Sequence, residues 1–317
     1  MVAIGNFDGV HQGHQAVLAA AAARAHAAGL TPLVLTFDPH PAEVLASATL
    51  DRLTPTARKA ALIQRLSPEL TVVVEPFTRE LAAHTPEAFA REFLRERLAA
   101  AQVLVGENFR FGRGRAGDLS TLRELGAELG FQPWSEPLTG DAAGAISSSR
   151  AREAVRAGDL ELAARLLTRP HALTGQVVHG DARGRQIGFP TANLAEVAEL
   201  IPPHGVYTCL VDDLSRGEEP GRALATGVVN IGRRPTVDAR AEAPVSVEAH
   251  LLTGADGQPF QAELYGARLR LHLVHRLREE RRFDGLPALV AQIGRDAEAA
   301  RERLAERRWP EPGAAWV

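Results

Sequence analysis

The first 28 residues constrain the fold of this chain more than any other segment. A short apolar run, Val2–Ile4, is followed by three spaced glycines and then by an alanine-rich segment at residues 15–28. That segment contains no helix breaker, so it is predicted to be a helix. The order is strand, glycine-rich turn and helix N-terminus, and a helix N-terminus offers unpaired N–H groups that bind anions. The three glycines are Gly5, Gly9 and Gly13.

Two histidines, His11 and His14, lie where this helix begins. The positive end of the helix dipole favours an anion there. The two imidazoles add hydrogen-bond donors that can gain or lose a proton near neutral pH. We interpret both side chains as donors to the phosphate oxygens of ATP and to the charge that builds up during transfer. The alternative is a glycine turn with two exposed histidines. Asp8 is predicted either to fix the loop or to hold a magnesium-bound water, and the sequence leaves both roles open.

The lysine content narrows the mode of phosphate binding. Lys59 is the only lysine in the chain, and it follows no glycine-rich loop. A Walker-type nucleotide loop needs Gly-Lys-Ser/Thr, so that class of site is excluded. Any phosphate must be held by backbone N–H groups, histidine, arginine or a metal ion.

Length and composition indicate a globular protein with about two domains. Of the 317 residues, 45% are hydrophobic and 24% are charged, and no apolar run is long enough to span a bilayer. Neither a signal peptide nor a membrane partner is indicated. Cys209 is the only cysteine, which fits a reducing cytoplasm, and the net charge of −3 does not suggest nucleic-acid binding. Whether the chain is a monomer or a homo-oligomer stays open.

The first half alternates short apolar runs with longer helical patterns, which predicts an α/β fold with a parallel sheet and helices on both faces. Ligands bind such sheets at the carboxyl ends of the strands, where three glycine- or proline-marked loops are expected to converge. A helix pair at residues 147–167 closes this half, and we place the domains at residues 1–168 and 169–317. The predicted strands are Val2–Ile4, 33–37, 70–74, 103–105 and 131–134, and the predicted helices are 15–28, 56–66, 86–100 and 120–129.

In the second half, apolar and polar residues alternate with a period of two residues. Several short strands of this kind predict a small antiparallel β-barrel. In its last strand the leucines share one face, while Arg268, Arg270 and His272 share the other. A closing helix is predicted at residues 286–308, with an apolar stripe along its length. The predicted strands are 176–179, 206–211, 226–231, 245–252 and 267–277, and the stripe residues are Leu286, Leu289, Ile293, Ala297, Ala300 and Leu304.

Two further segments place polar side chains near the carboxyl ends of the predicted parallel strands, the edge that we call the rim. Asn108 lies in GENFRFGRGRAGD, a glycine- and arginine-rich loop after a strand, which is either a substrate contact or a mobile surface loop. Ser147 and Ser148 open a helix, where ordinary capping and phosphate binding use the same N–H groups. Arg152, one turn later, can add a charge-assisted contact to a polyphosphate.

Taken together, these motifs resemble a known family. GNFDGVHQGH, TFDPHP, GENFRFG and ISSSRAR resemble, in order, the nucleotidyltransferase module of the bacterial bifunctional riboflavin kinase/FAD synthetases. GRQIGFPTANL, GVYTCLV, GVVNIGRRPTV, VSVEAHLL and LREERRFDGLPALVAQI resemble the riboflavin kinase module of the same family. The resemblance spans nearly the whole chain and implies a Rossmann-like nucleotidyltransferase domain of the HxGH type, followed by a kinase barrel.

The resemblance also implies two reactions and their residues. Riboflavin and ATP would give FMN and ADP in the second module, and FMN and ATP would give FAD and pyrophosphate in the first. Glu248 matches the catalytic base, Thr191 and Asn193 match the Mg²⁺–ATP ligands, and no tightly bound prosthetic group is expected. His11, His14, Asn108, Ser148 and Arg152 match the adenylylation site. Further predicted ATP or phosphate contacts are Gly5, Phe7, Asp8, Gly9, Gly13, Ser147, Gly184, Gly188 and Pro190.

Two other functions stay open at this point. The first module could adenylylate or cytidylylate a different phosphate, although the barrel motifs argue against that. Alternatively, the chain could bind or sense flavin without catalysis, against which the intact His11, Thr191 and Glu248 argue. Flavin products formed from riboflavin, ATP and magnesium would separate these alternatives.

Overall fold

The computed structural model of the chain describes residues 1–46, 50–180, 184, 187–215, 219, 221–233, 245–311, 314 and 316. It divides into two compact units, Met1–Arg150 and Ala151–Val317, which we call the N-terminal and C-terminal units. The domain limits of 1–168 and 169–317 stay predictions. Among the residues described, no helix combines the length and the apolar character needed to cross a membrane.

The N-terminal unit is built on a five-stranded sheet. Its strands are β1 (Val2–Ile4), β2 (Leu33–Asp38), β3 (Thr71–Pro76), β4 (Gln102–Gly106) and β5 (Gln132–Glu136). All neighbours pair in parallel, in the order β3-β2-β1-β4-β5, so the predicted parallel sheet is confirmed. The chain leaves β1 toward β2 and later returns to β4 on the other side of β1. The carboxyl ends of β1 and β4 therefore form the topological switch point, where ligands bind in open α/β sheets.

Helices cover both faces of this sheet, as predicted. On one face α1 and α3 pack around Leu18, Ile63 and Leu104, and on the other α5 and α6 pack around Phe89 and Leu122. The predicted helix at residues 86–100 is instead the short α5, continued by a π-helix at Ala90–Arg97. The helices of this unit are α1 (Gln12–Ala28), α2 (Pro41–Ala46), α3 (Thr56–Leu66), α4 (Arg79–Ala83), α5 (Pro86–Phe89) and α6 (Leu119–Leu129), and a small hairpin is formed by β6 (Gly140–Asp141) and β7 (Gly144–Ala145). The next helix, α7 (Ser148–Ala157), begins in this unit and continues into the C-terminal unit.

The C-terminal unit is a closed antiparallel barrel of six strands, so the barrel prediction is confirmed. Its elements are α8 (Leu160–Leu167), β8 (His171–Val178), β9 (Ala192–Ala195), β10 (Gly205–Asp213), β11 (Arg222–Arg233), β12 (Val245–Gly254), β13 (Arg268–Arg278) and α9 (Leu286–Leu304). The strands follow the order β10-β11-β12-β9-β8-β13 around the barrel. Asp159 caps α8 by accepting a hydrogen bond from the Leu162 N–H. The sequence analysis missed β9, which is too short to show a period.

The polar face of β13 is not a solvated surface. Arg270 and His272 are both buried, and His272 Nε2 lies 2.8 Å from Asp212 Oδ2. Leu304 of α9 and Trp316 pack over the same outer face, which removes it from water. A buried polar group is costly unless it is paired, and the carboxylate of Asp212 pairs this imidazole.

The predicted apolar stripe of α9 is correct only in its second half. Ala297, Ala300 and Leu304 are buried, but Leu286 is 57% exposed. The middle of the helix buries polar side chains instead, because Asp296 forms an ion pair of 2.7 Å with Arg278 of β13. The helix is therefore held to the barrel by an apolar end and by a charged contact near its centre.

Candidate functional sites

The loop after β1 has a strained backbone that its own side chains hold in place. Phe7 and Val10 have positive φ angles of 50° and 43°, which non-glycine residues rarely adopt. Both side chains are buried in the core, so burial compensates for the strain. A Cβ on Gly5 would lie 2.9 Å from the Phe7 ring. Because the Phe7 side chain lies in the core, only its backbone is available to a phosphate.

His11 and His14 lie together at the start of α1. The Nδ1 atom of His11 accepts the His14 backbone N–H at 3.4 Å, so His11 is the N-cap of the helix. The two rings stack with centroids 3.6 Å apart, and the Phe7 ring meets the His14 ring edge-on at 5.2 Å. The predicted pair of imidazoles is therefore side by side at a helix N-terminus.

Asp8 fixes the loop, which is one of the two roles that the sequence left open. Its carboxylate accepts the backbone N–H groups of Leu53 and Thr54 at 3.1 and 3.0 Å. In addition, the Gly9 N–H donates to Thr54 Oγ1 at 3.0 Å. The glycine-rich loop is thus joined to the segment that precedes α3.

The start of α7 meets the same loop. The Ser148 hydroxyl donates to the Asp8 carbonyl at 2.9 Å, while Ser147 Oγ accepts the Arg150 N–H as an ordinary cap. A Cβ on Gly13 would lie 3.3 Å from the Ile146 carbonyl oxygen, so the two helix starts are in close contact. Two positive dipole ends therefore lie side by side, which strengthens the case for an anion site.

The other predicted residues of this rim have different surroundings. Asn108 is exposed just beyond β4, whose neighbour in the sheet is β1. Asn108 lies in a turn, which is closed by a hydrogen bond from the Phe109 N–H to the Gly106 carbonyl. Arg152 lies one turn after Ser148 on α7 and is buried. The structure thus places His11 and Asn108 at neighbouring strand ends, as the rim prediction required.

Sequence reasoning missed Lys59 as a member of this rim. Its side chain lines a small pocket with Asp38, His40 and Arg52 at the end of β2. Burial lowers the pKa of Lys59 to about 8, against the opposing effects of the Asp8 and Asp38 carboxylates. A single lysine in a chain that otherwise uses arginine was the signal that could have identified it.

In the C-terminal unit, the barrel register brings Glu248 together with Asn193. Glu248 of β12 lies directly opposite Asn193 of β9 on one side and opposite Asn230 of β11 on the other. Directly opposed residues point to the same face of a sheet. The neighbours Val247 and Ala249 lie in the barrel core, so this face is the outer one. Asn230 is a residue that the sequence analysis did not assign.

The segment before β9 packs tightly on the predicted ligand residues. Asn193 is buried, and a Cβ on Gly180 would lie 2.4 Å from its Nδ2 atom. A Cβ on Gly184 would lie 3.4 Å from Thr191 Oγ1 and 2.3 Å from the Phe189 carbonyl oxygen. A side chain at Gly184 would collide with the Phe189 backbone, and one at Gly180 would displace the Asn193 side chain, so both glycines approach the predicted ligand residues closely.

His250 supports the same segment from β12. Its Nδ1 atom lies 2.8 Å from the Pro190 carbonyl oxygen, and its ring meets the Phe189 ring edge-on. Burial lowers the pKa of His250, so the ring stays neutral at pH 7 and donates from Nδ1. Gly188 has a φ of +86°, which favours glycine at that turn. Residues 185–186 and 234–237 of the sequence motifs lie outside the described residues.

The donor set of the barrel site fits magnesium. Thr191, Asn193 and Glu248 offer hydroxyl, amide and carboxylate oxygens, which are the hard ligands that Mg²⁺ prefers. Thr191 lies immediately before β9, two residues from Asn193 in the sequence. Gly180 and Gly184 carry no side chain of their own, so neither fills the space beside Asn193 and Thr191.

Comparison with known families divides the chain into two matching regions. A family model of FAD synthetase matches residues 1–150, and a family model of riboflavin kinase matches residues 167–304. The first region holds the glycine-rich loop with His11 and His14, and the second holds the barrel with Thr191 and Glu248.

Whole-chain relatives show the same two regions in one protein. The bifunctional riboflavin kinase/FMN adenylyltransferase of Escherichia coli K12 is 39% identical over 95% of this chain and 92% of its own length. That of Bacillus subtilis 168 is 37% identical over 95% of this chain and 91% of its own length. A crystal structure described as a macrolide-efflux protein from Streptococcus pneumoniae superimposes with a TM-score of 0.79, at 27% identity, over 95% of this chain and 93% of that one.

Proposed function

Because this chain belongs to the bifunctional riboflavin kinase/FMN adenylyltransferase family, we propose a residue assignment for each of its two reactions. The enzyme phosphorylates riboflavin with ATP, giving FMN and ADP. It also transfers the adenylyl group of a second ATP to FMN, giving FAD and pyrophosphate. The kinase reaction belongs to the barrel, and the adenylyl transfer belongs to the N-terminal unit.

In the kinase reaction, Glu248 is the general base. It takes the proton of the terminal ribityl hydroxyl as that oxygen attacks the γ-phosphorus, and ADP leaves. The observation that carries this assignment is the cross-strand pairing of Glu248 with Asn193, which sets a carboxylate beside the amide of the PTAN segment. Asn230 of β11 is the cross-strand partner of Glu248 on its other side.

Thr191 and Asn193 would hold Mg²⁺ together with ATP. When bound, the metal ion would neutralise the negative charge on the phosphate oxygens. The backbone of Gly184, Gly188 and Pro190 approaches the phosphates closely because no bulky side chain intervenes at the two glycines. His250 keeps Pro190 in place through its hydrogen bond to the carbonyl oxygen.

Adenylyl transfer uses the paired helix starts of the N-terminal unit. The FMN phosphate is already an anion, so it attacks the α-phosphorus in line without a protein nucleophile, and pyrophosphate leaves. His11 and His14 donate to the phosphate oxygens, with backbone N–H groups of the loop from Gly5 to Gly13. Ser147 and Ser148 at the start of α7, with Asn108 and Arg152, complete the set of donors.

A cytoplasmic location is part of the same proposal. Cys209, the only cysteine, is buried in the barrel core, and burial raises the pKa of its thiol. A protonated, buried thiol is inert, so the fold makes no use of an oxidising compartment.

The test follows both products in one mixture. Purified enzyme is incubated with riboflavin, ATP and Mg²⁺, and the flavins are separated by chromatography over time. We expect FMN first and FAD later, with release of pyrophosphate only in the second phase. FMN without FAD would reject the adenylyl-transfer assignment, and bound riboflavin without any product would reject both.

A further inference from the structure

Lys59 is a buried cation that neither reaction uses directly. It lies on α3, its side chain is 5% exposed, and it is the only lysine in the chain. A buried ammonium group is costly unless it is well paired, so its position requires a reason.

The ammonium group makes three hydrogen bonds at the ends of two strands. It donates to the Asn6 carbonyl at 3.0 Å, to Thr36 Oγ1 at 2.9 Å and to the Phe37 carbonyl at 3.3 Å. An ammonium group has three hydrogens, so these contacts use its full donor capacity. Thr36 Oγ1 in turn donates to the Asn6 carbonyl at 3.1 Å, which makes the cluster continuous.

These contacts lie where the β-ladder gives way to the glycine-rich loop. The register of β1 and β2 runs to Ile4 opposite Leu35, and the Gly5 N–H donates to the Leu35 carbonyl. Beyond that point, Lys59 joins the Asn6 carbonyl of the loop to the Phe37 carbonyl of β2. Without this side chain, the Asn6 carbonyl would keep only the Thr36 hydroxyl as a donor, and the buried Phe37 carbonyl would lose its contact with Lys59.

The same loop is tied to the α3 region at a second point. Asp8, two residues after Asn6, binds the N–H groups of Leu53 and Thr54, which lead into the helix that carries Lys59. The loop is therefore held at Asn6 and at Asp8, immediately before the histidine pair.

We propose that Lys59 is a positioning residue for adenylyl transfer, because its ammonium group holds the Asn6–Asp8 turn and thereby aims His11 and His14. The inference rests on the proposed function of the N-terminal unit. It assigns no substrate contact to Lys59, because all three of its hydrogens bind protein oxygens. The charged groups near it are Asp8 and Asp38, which favour the ammonium form, and Arg52, which opposes it.

The first experiment compares Lys59→Met with Arg65→Met, an exposed cation on the same helix. FAD formation from supplied FMN and ATP is measured at pH 7, with kcat and both KM values. We expect kcat for Lys59→Met to fall about 100-fold, as for a reacting group misplaced by about 1 Å, while the KM values change much less. FMN formation from riboflavin should match wild type in both variants. Equal kcat values for the two variants would overturn the proposal.

Two further readouts separate positioning from a loss of folding. In Lys59→Ala, ethylammonium chloride should restore part of the FAD-forming kcat, whereas an equal concentration of KCl should not. In the wild type, FAD formation should decline between pH 7 and 9 as the ammonium group loses its proton, while Lys59→Met should show no such decline. If Lys59→Met does not fold, the wild-type pH profile decides, and a flat profile would contradict the role. A wild type that forms no FAD at any pH would reject the proposed function itself.

Discussion

Glu248 and Asn193 are direct cross-strand partners in the β12–β9 ladder, on the outer face of the barrel. The two residues are 55 positions apart in the sequence, but the register sets their side chains on the same face at neighbouring positions. Asn193 is buried under the glycine-rich segment, while Glu248 is half-buried. The carboxylate is therefore the more accessible of the two groups.

The first prediction concerns Glu248 as the base of the kinase reaction. Glu248→Gln keeps the shape of the side chain but removes the proton acceptor, so FMN formation should fall about 100- to 10,000-fold. FAD formation from supplied FMN should persist, since it belongs to the other unit. The control is Glu263→Gln, an exposed carboxylate of the same unit, which should keep both activities. An equal loss of both reactions in Glu248→Gln would contradict the division into two sites.

The second prediction concerns the histidine pair. His14→Ala removes one ring from the stack with His11 and one donor at the start of α1, so FAD formation should fall about 100- to 1,000-fold. FMN formation should stay unchanged. His26→Ala, an exposed histidine near the end of the same helix, is the matched control. Product analysis of both reactions checks this result, and a His14→Ala enzyme with full FAD output would argue against the assignment.

The third prediction concerns the contact between the two helix starts. A Cβ on Gly13 would lie 3.3 Å from both the His11 ring and the Ile146 carbonyl oxygen, which is too close without a shift. Gly13→Ala should therefore move the His11 ring and lower kcat for FAD formation about tenfold. Gly294→Ala on α9 is the control, because a Cβ there would meet nothing within 4 Å. An unchanged kcat in Gly13→Ala would show that the helix starts tolerate a wider spacing.

Much of the fold was predictable because the spacing of apolar residues that marks a strand or a helix lies within one short segment of the sequence. The strand Val2–Ile4 and the helix at residues 15–28 follow from composition and glycine placement alone, and the structure confirms both, although the helix begins three residues earlier, at Gln12. The burial of Arg270 and His272 was not predictable, because it depends on Leu304 and Trp316 covering that face from distant positions. The exposed Leu286 shows the reverse error, since an apolar stripe indicates burial only where a partner element lies opposite.

Candidate site residues could be named from the sequence, and their roles stay predictions, but their contacts could not be foreseen. The glycine spacing and the helix start indicated phosphate chemistry at His11, whereas Thr191 and Glu248 received their predicted roles from the family resemblance alone. The pairing of Ser148 with the Asp8 carbonyl joins positions 140 residues apart, and no local pattern contains it. Lys59 was overlooked for the same reason, because its partners lie on two other elements of the chain.

The last prediction concerns the pH dependence of stability that Lys59 creates. Its pKa falls from an ordinary value of 10.5 to about 8 on folding, chiefly because burial disfavours the charged form. Between these two values the unfolded chain binds more protons than the folded one, so the free energy of unfolding contributed by Lys59 rises with pH. Below about pH 8 the group is charged in both states, and the full cost of burying it is present.

The measurement is the difference in unfolding free energy between wild type and Lys59→Met, from pH 7 to 10.5. We expect this difference to shift in favour of wild type by up to about 3 kcal/mol as the pH rises. Urea unfolding is followed by the fluorescence of Trp134, which lies in the N-terminal unit, with Trp309→Phe and Trp316→Phe in both proteins. Because Lys59 is the only lysine and the two tyrosines are common to both proteins, no other lysine or phenol contributes to the difference. A difference that stays constant over this range would mean that Lys59 titrates in the folded protein as it does in the unfolded chain, and that its ammonium group is not buried as described.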